Sequence, residues 1–241
     1  MTRLPFTPPL SSSRFTLSRC TPTDVPQMVS TYLAAFSQTP FDYFWPPSLD
    51  SMRDWSTKRF LLRFADPKDQ QFKLVDNETG DLVGFIRWYV PEGMKGLDEG
   101  FEVFKVFGDE SDEIAKKHKS ALPEGVNEEL WNEFFGGMKK MNDKWDTKRM
   151  LVLGLLCTHP SYQNQGAAKA LMENVLRIAD NEGIRVYVES LSTATGVYKR
   201  FGFKEIDRLE FDLSKAGREG TAGIDIMIRE PNVPNVPLTN E

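Results

Sequence analysis

The sequence is poor in residues that build disulfide frameworks and metal sites, since it holds 2 cysteines and 2 histidines in 241 residues. Cys20 and Cys157 lie far apart and form no metal-ligand spacing, which favours a reducing compartment and predicts a cytoplasmic protein without a bound metal. A run of 18 apolar residues is also missing, so we expect no membrane-spanning helix. Residues 1–13 lack an apolar stretch and are not expected to act as a secretory signal.

Positive charge is scarce as well, with 30 Lys and Arg against 35 Asp and Glu and a net charge of -5. A nucleic acid needs clustered Lys and Arg to neutralise its phosphates, so it is excluded as a general partner. The acidity is concentrated in residues 91–147, which hold 14 acidic and 8 basic residues. We interpret 91–147 as an insert with two helical patches, Ser111–Lys119 and Asn127–Lys144. An excursion of this length is usually a lid or another mobile segment.

The periodicity of apolar residues predicts one strand, two helices, two strands, the insert, then strand, helix, strand, short helix and two strands. This order predicts an α/β domain around a mixed sheet over residues 14–230, between tails at 1–13 and 231–241. The apolar run Met150–Leu156 predicts a central strand buried on both faces, and Gly154 within it predicts a bulge or a close approach.

A polar loop with small residues follows this central strand and leads into a predicted helix. Free amide groups and the positive end of the helix dipole make such a junction a site for an anion, and a pyrophosphate is the natural guest. An ordinary helix N-terminus, with small residues for close packing, is the more common explanation of Gly166 taken alone.

The wider setting of this loop resembles the GCN5-related N-acetyltransferase (GNAT) superfamily. The family's pyrophosphate loop, Gln/Arg-x-x-Gly-x-Gly/Ala, is matched by Gln163, Gly166 and Ala168. A Pro-x-Tyr pair before the loop and a later Tyr-x-x-x-Gly-Phe segment are matched by Pro160, Tyr162, Tyr198, Gly202 and Phe203. The resemblance covers roughly residues 14–90 and 148–230, and the acidic insert is not part of the family's minimal fold.

The resemblance implies a single GNAT-like domain with a mixed, mostly antiparallel central sheet flanked by helices. Its fourth and fifth strands would splay apart, and the long insert would lie between the third and fourth strands. Acetyl-CoA would occupy the resulting V-shaped opening, with backbone groups of Leu156, Cys157 and Thr158 on its acetyl and pantetheine parts. The residues implied for the pyrophosphate are Gln163, Asn164, Gln165, Gly166, Ala167 and Ala168.

The resemblance also implies direct transfer of the acetyl group to an amine in a ternary complex, without an acetyl-enzyme. The Leu156 N–H would polarise the thioester, and Tyr198 would protonate the leaving thiolate as general acid. A tyrosine that only packs on a short helix is the alternative for Tyr198. Cys157 has no evident His–Asp pair beside it and is expected to be a packed thiol.

The sequence does not identify the general base. Glu189 at a strand end is one candidate, and Asp146, Glu102 and His159 are others, whereas His118 has the surroundings of an exposed helix face. A chain of water molecules is an equal alternative.

The acceptor would enter under the first two helices and their aromatic connecting loop. The predicted acceptor residues are Phe36, Phe41, Tyr43, Phe44, Trp45 and Glu102. A hydrophobic cluster that fastens the loop is an equal alternative for the aromatic ones. Aromatic residues of the insert, set among carboxylates, would suit a cationic amine, although a solvated acidic face is the more common outcome. These additional aromatic residues are Phe101, Phe104, Phe107, Trp131, Phe134 and Phe135.

We therefore predict an acetyl-CoA-dependent N-acetyltransferase that modifies a small primary amine and exists as a monomer or a homodimer. One alternative is an acetyltransferase for protein lysines or N-termini, which would need an open trough rather than a closed aromatic pocket. The other is a non-catalytic acyl-CoA-binding module, in which loss of the Tyr198 hydroxyl would have no consequence.

Overall fold

The computed structural model describes residues 14–37, 39, 42–98, 100–106 and 121–232. The expectations for residues 1–13 and 233–241, for the patch Ser111–Lys119, and for Phe41, Phe107 and His118 lie outside these ranges. The strands are β1 Phe15–Arg19, β2 Asp69–Asp76, β3 Leu82–Tyr89, β4 Leu151–Thr158, β5 Val186–Leu191, β6 Lys204–Asp212 and β7 Thr221–Arg229. The α-helices are α1 Val25–Phe36, α2 Leu49–Arg63, α3 Glu128–Lys144, α4 Ala167–Asn181 and α5 Thr195–Lys199.

The seven strands form one sheet in the order β1-β2-β3-β4-β5-β7-β6. Neighbouring strands are antiparallel except β4 and β5, which are parallel. The turn between β2 and β3 places Gly80 at φ +75°, as a hairpin with a left-handed residue requires. The predicted fold class, a mixed and mostly antiparallel sheet with flanking helices, is therefore confirmed.

Helices cover both faces of the sheet because each presents an apolar stripe. On one face α4 buries Leu171, Val175 and Ala179, spaced four residues apart, against the strands. The opposite face is covered by α1 and α2 over its first half and by α3 over its second half. This leaves a seam between the α1–α2 pair and α3, directly above β4.

The bulge predicted at Gly154 is present and changes the faces of β4. Arg87 lies opposite Leu155 and Trp88 opposite Leu153, so Gly154 has no partner in β3. As a result, Leu153 packs in the core under α4, whereas Leu155 packs on the α1–α2 face. The prediction of a strand buried on both faces is wrong for its second half, because Gly154 is exposed and Leu155 is only partly buried.

The described parts of the insert pack on the body of the domain. Gly96 N–H donates to Glu182 Oε1 at 2.6 Å, and Phe104 N–H donates to the carbonyl of Phe64 at 2.9 Å. The helical patch predicted at Asn127–Lys144 is confirmed as α3, and the Asn127 side chain caps it by accepting from Leu130 N–H at 3.2 Å. Among the described residues, no helix is both long and apolar enough to cross a membrane.

The serine that precedes the short helix α5 does not cap it. The Ser192 hydroxyl donates to the carbonyl of Gly223 at 3.1 Å, and α5 begins only at Thr195. A cross-strand acceptor thus replaces the local amide as the partner of this hydroxyl.

Candidate active site

The gap between β4 and β5 forms because the two strands pair over only three residues. Leu151–Leu153 lie beside Val186–Val188, and Leu155–Thr158 pair with β3 alone. His159 N–H donates to the carbonyl of Val83 at 2.9 Å, which sets the alternation of hydrogen-bonded pairs between β3 and β4. It follows that the N–H and C=O groups of Leu156 point away from β3 and into the gap.

The loop before α4 leaves amide groups open at the helix N-terminus. Asn164 and Gly166 adopt left-handed conformations, with φ of 61° and 85°. The first amide of α4 with an intrahelical acceptor is that of Ala170, which donates to the Gly166 carbonyl at 3.0 Å. The amides of Ala167 and Ala168 therefore have no acceptor within the helix, and a Cβ placed on Gly166 would meet no atom within 4 Å. Such an open cradle of N–H groups fits a pyrophosphate.

Tyr198 lies on α5 and is held by the Tyr-x-x-x-Gly-Phe segment. Gly202 takes φ +86° after the helix, which returns the chain so that the Phe203 ring packs edge-on against the Tyr198 ring at 5.7 Å. The Tyr198 side chain is 6% exposed. Burial, with a smaller contribution from the Cys157 thiol, raises the pKa of Tyr198, so its hydroxyl stays protonated at neutral pH.

Glu189 on β5 is a carboxylate with an unusual environment. It accepts hydrogen bonds from Asn142 Nδ2 at 2.7 Å and from the Tyr187 hydroxyl at 3.1 Å. The Thr147 hydroxyl donates to Asn142 Oδ1 at 2.8 Å, which fixes the orientation of that amide. Burial raises the pKa of Glu189 to about 7, although the two hydrogen bonds act in the opposite direction. A carboxylate with this pKa exchanges protons near neutral pH.

A cavity of about 270 Å³ lies in the seam between the helices and connects these groups. Leu156 and Tyr198 line it next to the strand gap, and Glu189 lines it below α3. Three of the predicted acceptor residues, Phe36, Phe44 and Trp45, also line this cavity. Its remaining aromatic wall includes Tyr32, Trp55, Phe60, Phe134 and Phe135.

Two other predicted acceptor residues are not brought to this cavity. Tyr43 is buried beside the Phe44 and Phe211 rings, where burial raises its pKa to about 12. Glu102 is exposed and lines a separate cavity of about 250 Å³ next to Arg19. Tyr43 lies in the loop before α2 and Glu102 lies in the insert. Which cavity each of them lines depends on tertiary contacts of the insert that the sequence does not show.

The other candidate bases also lie away from the cavity lining. Asp146 is exposed at the end of α3, in a left-handed conformation with φ of 47°. His159 Nδ1 accepts from Ser161 N–H at 3.3 Å within the loop that precedes α4. Cys157 is buried, which raises the pKa of its thiol well above the ordinary value, as expected for a packed side chain rather than a nucleophile.

Sequence reasoning missed the charged side chains of the cavity. Arg59, Arg63 and Arg87 line it, and Glu189 is the one carboxylate among the described lining residues. Trp55, Arg59 and Arg63 recur at four-residue spacing, which places them on one stripe of α2 and was a readable signal. Asn142 gave no comparable signal, since an amide on an amphipathic helix is usually solvated.

The comparisons with known proteins agree with the fold. Residues 132–212 match the family model described as Acetyltransferase (GNAT) domain. The ribosomal-protein-S18-alanine N-acetyltransferase from Escherichia coli superposes with a TM-score of 0.51 and 15% identity over 94% of this chain and 99% of that chain. A Corynebacterium glutamicum structure described as histone acetyltransferase HPA2 and related acetyltransferase superposes with a TM-score of 0.55 and 19% identity, over 92% and 99% of the two chains. A search of curated proteins found no match.

Residues 132–212 are thus similar to a GNAT acetyltransferase domain, and the chain shares the fold of these acetyltransferase structures. The residues matched by the family model include the loop at 163–168 and the Tyr-x-x-x-Gly-Phe segment at 198–203.

Proposed function

We propose that this protein transfers the acetyl group of acetyl-CoA directly to a small primary amine. The observation that carries the proposal is the cavity between α1, α2 and α3, which joins the gap beside Leu156 to a wall of aromatic side chains. Helix α3 roofs this space, with Phe134 packed at 4.8 Å from Phe44 and Trp131 at 5.0 Å from Trp55. A roofed aromatic pocket suits a small acceptor better than a peptide.

The cofactor side of the site is built from backbone groups. Bound acetyl-CoA supplies the acetyl group as a thioester. The amides of Ala167 and Ala168 hold the pyrophosphate, and the neighbouring loop residues Gln163, Asn164 and Gln165 shape the cradle. The Leu156 N–H, which faces the gap, donates to the acetyl carbonyl oxygen and stabilises the negative charge that develops there.

Glu189 acts as the general base. An amine is protonated at neutral pH and has to lose a proton before its nitrogen can attack. With a pKa of about 7, the Glu189 carboxylate is ionised in roughly half of the molecules at neutral pH and accepts this proton. Asn142 acts through Glu189 as a positioning residue, because its Nδ2 holds one carboxylate oxygen at 2.7 Å.

Tyr198 acts as the general acid at the sulfur atom. Its raised pKa keeps the proton on the hydroxyl until a thiolate forms in the gap. The neighbouring Cys157 stays a neutral thiol and forms no acetyl-enzyme.

Two alternatives remain under test. The Escherichia coli structure is named for an alanine of a ribosomal protein, so a peptide acceptor is the first one. The roof made by α3 argues against it in this chain. A non-catalytic acyl-CoA-binding module is the second, and it gives no reason for a carboxylate with a pKa near neutrality in the cavity.

The experiment is a screen for acetyl-CoA-dependent thiol release with small primary amines, lysine peptides and N-terminal peptides. Small amines are expected to be turned over and peptides are not. Turnover of peptides alone would contradict the small-amine assignment. If acetyl-CoA neither binds nor raises the Tm of the protein, the proposal as a whole fails.

The cytoplasmic location and the choice between monomer and homodimer stay predictions. Both cysteines are free and buried, which is compatible with a reducing compartment.

A further inference from the structure

The bulge of β4 decides which way the Leu156 amide points. The Leu151 N–H donates to the carbonyl of Arg185 at 3.0 Å, so it faces the β5 side of the strand. Amides alternate along a regular strand, so without a bulge the N–H groups of Val152 and Leu156 would both face β3. The extra residue at Gly154 reverses this alternation, and the Leu156 N–H faces the gap instead.

Arg87 supplies the hydrogen bond that the bulge does not receive from the ladder. Gly154 has no partner in β3, but its carbonyl accepts from Arg87 Nη2 at 3.0 Å. Arg87 Nε lies 3.6 Å from Oδ1 of Asp69, a carboxylate whose side chain is 1% exposed. Burial lowers the pKa of Arg87 to about 10, so the guanidinium stays protonated at neutral pH. The Arg87 side chain therefore ties a buried carboxylate of β2 to the bulge of β4.

The bulge and the guanidinium also fit each other in space. A Cβ on residue 154 would approach Nε and Nη2 of Arg87 to 3.0 Å, so a glycine at this position leaves the guanidinium undisturbed. Leu153 packs in the core under α4 and Leu155 packs on the α1–α2 face, so the chain is anchored on both sides of the bulge. The Gly154 peptide between these anchors is the part that the guanidinium holds.

We propose that Arg87 is a positioning residue for acetyl transfer, which fixes the bulge at Gly154 and thereby directs the Leu156 N–H at the acetyl carbonyl oxygen. This inference rests on the proposed function, in which that N–H stabilises the developing negative charge. Arg87 acts through the backbone of β4 and not through contact with the acetyl group. Without its hydrogen bond the Gly154 peptide is free to rotate, and the Leu156 N–H loses its orientation.

The test is an infrared measurement on protein saturated with acetyl-CoA in the absence of an amine, which needs no turnover. The difference between acetyl-CoA with ¹³C at the thioester carbonyl and the unlabelled compound isolates the carbonyl band from the bands of the protein. A hydrogen bond from Leu156 lowers the frequency of this band. We expect the band in the wild type to lie below that of acetyl-CoA in buffer, and Arg87→Met to lose most of this shift.

Kinetics and binding give a second expected result for the same variant. With the amine that the screen identifies, kcat of Arg87→Met should fall by about tenfold to 10²-fold, the cost of a misplaced catalytic group. The dissociation constant of coenzyme A, which has no acetyl group, should stay unchanged because the amides of Ala167 and Ala168 are intact. A loss of coenzyme A affinity as large as the loss in kcat would mean a general distortion and would overturn the positioning role.

Lys73→Met is the matched control. Lys73 and Arg87 are both strand cations with side chains 19% exposed, and each pairs with an aspartate, Lys73 with Asp24 at 2.5 Å. Lys73 lies on β2 and is not among the described residues that line the acceptor cavity, so Lys73→Met should keep the full shift of the carbonyl band.

Arg87→Lys gives a graded variant. Its ammonium ends one bond short of the Nη2 position, so it should keep only part of the shift. If Arg87→Met fails to fold, a full shift in Arg87→Lys would overturn the inference.

Failure of this inference and failure of the proposed function give different results. If acetyl-CoA does not bind, or if its band in the wild type is not lowered, the proposed function is wrong at the Leu156 donor and the role of Arg87 falls with it. If the band is lowered equally in the wild type and in Arg87→Met, the proposed function stands and the role of Arg87 is wrong.

Discussion

The two halves of the candidate site are built in different ways. The cofactor half consists of backbone groups on contiguous chain, the end of β4 and the loop into α4. The acceptor half consists of side chains from α1, α2, β3, α3 and β5, which are remote in sequence. The cofactor half is made of backbone, so a change in its geometry would also change the fold. In the acceptor half, a single side-chain substitution can change which ligand binds. The two halves meet at Tyr198 and Glu189.

The largest effect is expected at Glu189, on the acceptor side of the point where the two halves meet. Glu189→Gln keeps the shape and removes the base, so kcat/KM for the amine should fall by about 10² to 10⁴. The dissociation constant of acetyl-CoA should stay unchanged, because the backbone half is intact. Steady-state kinetics and calorimetry check the two values, with the exposed Glu205→Gln as the control.

The stability of this variant separates chemistry from folding. The folded-state pKa of Glu189, about 7, lies above the ordinary value for glutamate, so the contribution of this group to stability is lost as pH rises through 7. Glu189→Gln carries no charge and should unfold at pH 8 at a Tm no lower than the wild type. A large drop in Tm would mean that lost activity reflects misfolding.

The next largest effect is expected at Tyr198, on the cofactor side of the point where the two halves meet. Tyr198→Phe should lower kcat by about 10² through loss of the proton donor, again without weaker binding of acetyl-CoA. Tyr43→Phe removes a buried hydroxyl outside the cavity and serves as the control. Unchanged kcat in Tyr198→Phe would favour the packing interpretation of this tyrosine.

A backbone change should act on the cofactor half alone. Gly166→Ala strains a residue at φ +85°, and the displaced amides should raise the dissociation constant of acetyl-CoA about tenfold. Gly80→Ala imposes the same kind of strain at φ +75° in the β2–β3 turn and should destabilise the protein without affecting the cofactor. Equal affinity in both variants would place the pyrophosphate elsewhere.

A smaller effect concerns the pH dependence. The base has to be ionised, so kcat/KM is expected to rise with pH through about 7. Asn142 lowers the pKa of Glu189 by donating to it, so Asn142→Leu should move this limb to higher pH. Thr147→Val removes only the hydrogen bond that orients Asn142, so the rise of kcat/KM should shift by a smaller amount. If the rise of kcat/KM occurred at the same pH in Asn142→Leu as in the wild type, Asn142 would have no role in the mechanism.

The smallest effect is expected where sequence reasoning named a residue that the fold places elsewhere. Glu102→Ala should leave kcat/KM for the amine within about twofold, because Glu102 lines the separate cavity beside Arg19. A larger loss, measured by the same assay, would show that the acceptor extends beyond the α1–α2–α3 cavity.

The difference between the two halves also explains which site residues can be predicted from the sequence. Gly166, Gly202 and the bulge at Gly154 are local requirements of backbone conformation, so their roles follow from a short stretch of chain. From the sequence, Glu189 is only one of several candidate carboxylates, because its raised pKa depends on burial under α3. The contact between Asn142 and Glu189 spans 47 residues and has no periodic signal.

The most direct measurement of the central claim is a crystal structure with coenzyme A and an acetylatable amine. The account predicts the thiol sulfur within hydrogen-bond distance of the Tyr198 hydroxyl, in the gap beside Leu156, and the amine nitrogen between that sulfur and Glu189. It also predicts the pyrophosphate on the amides of Ala167 and Ala168. An amine bound outside the α1–α2–α3 cavity, or a sulfur remote from Tyr198, would contradict the account.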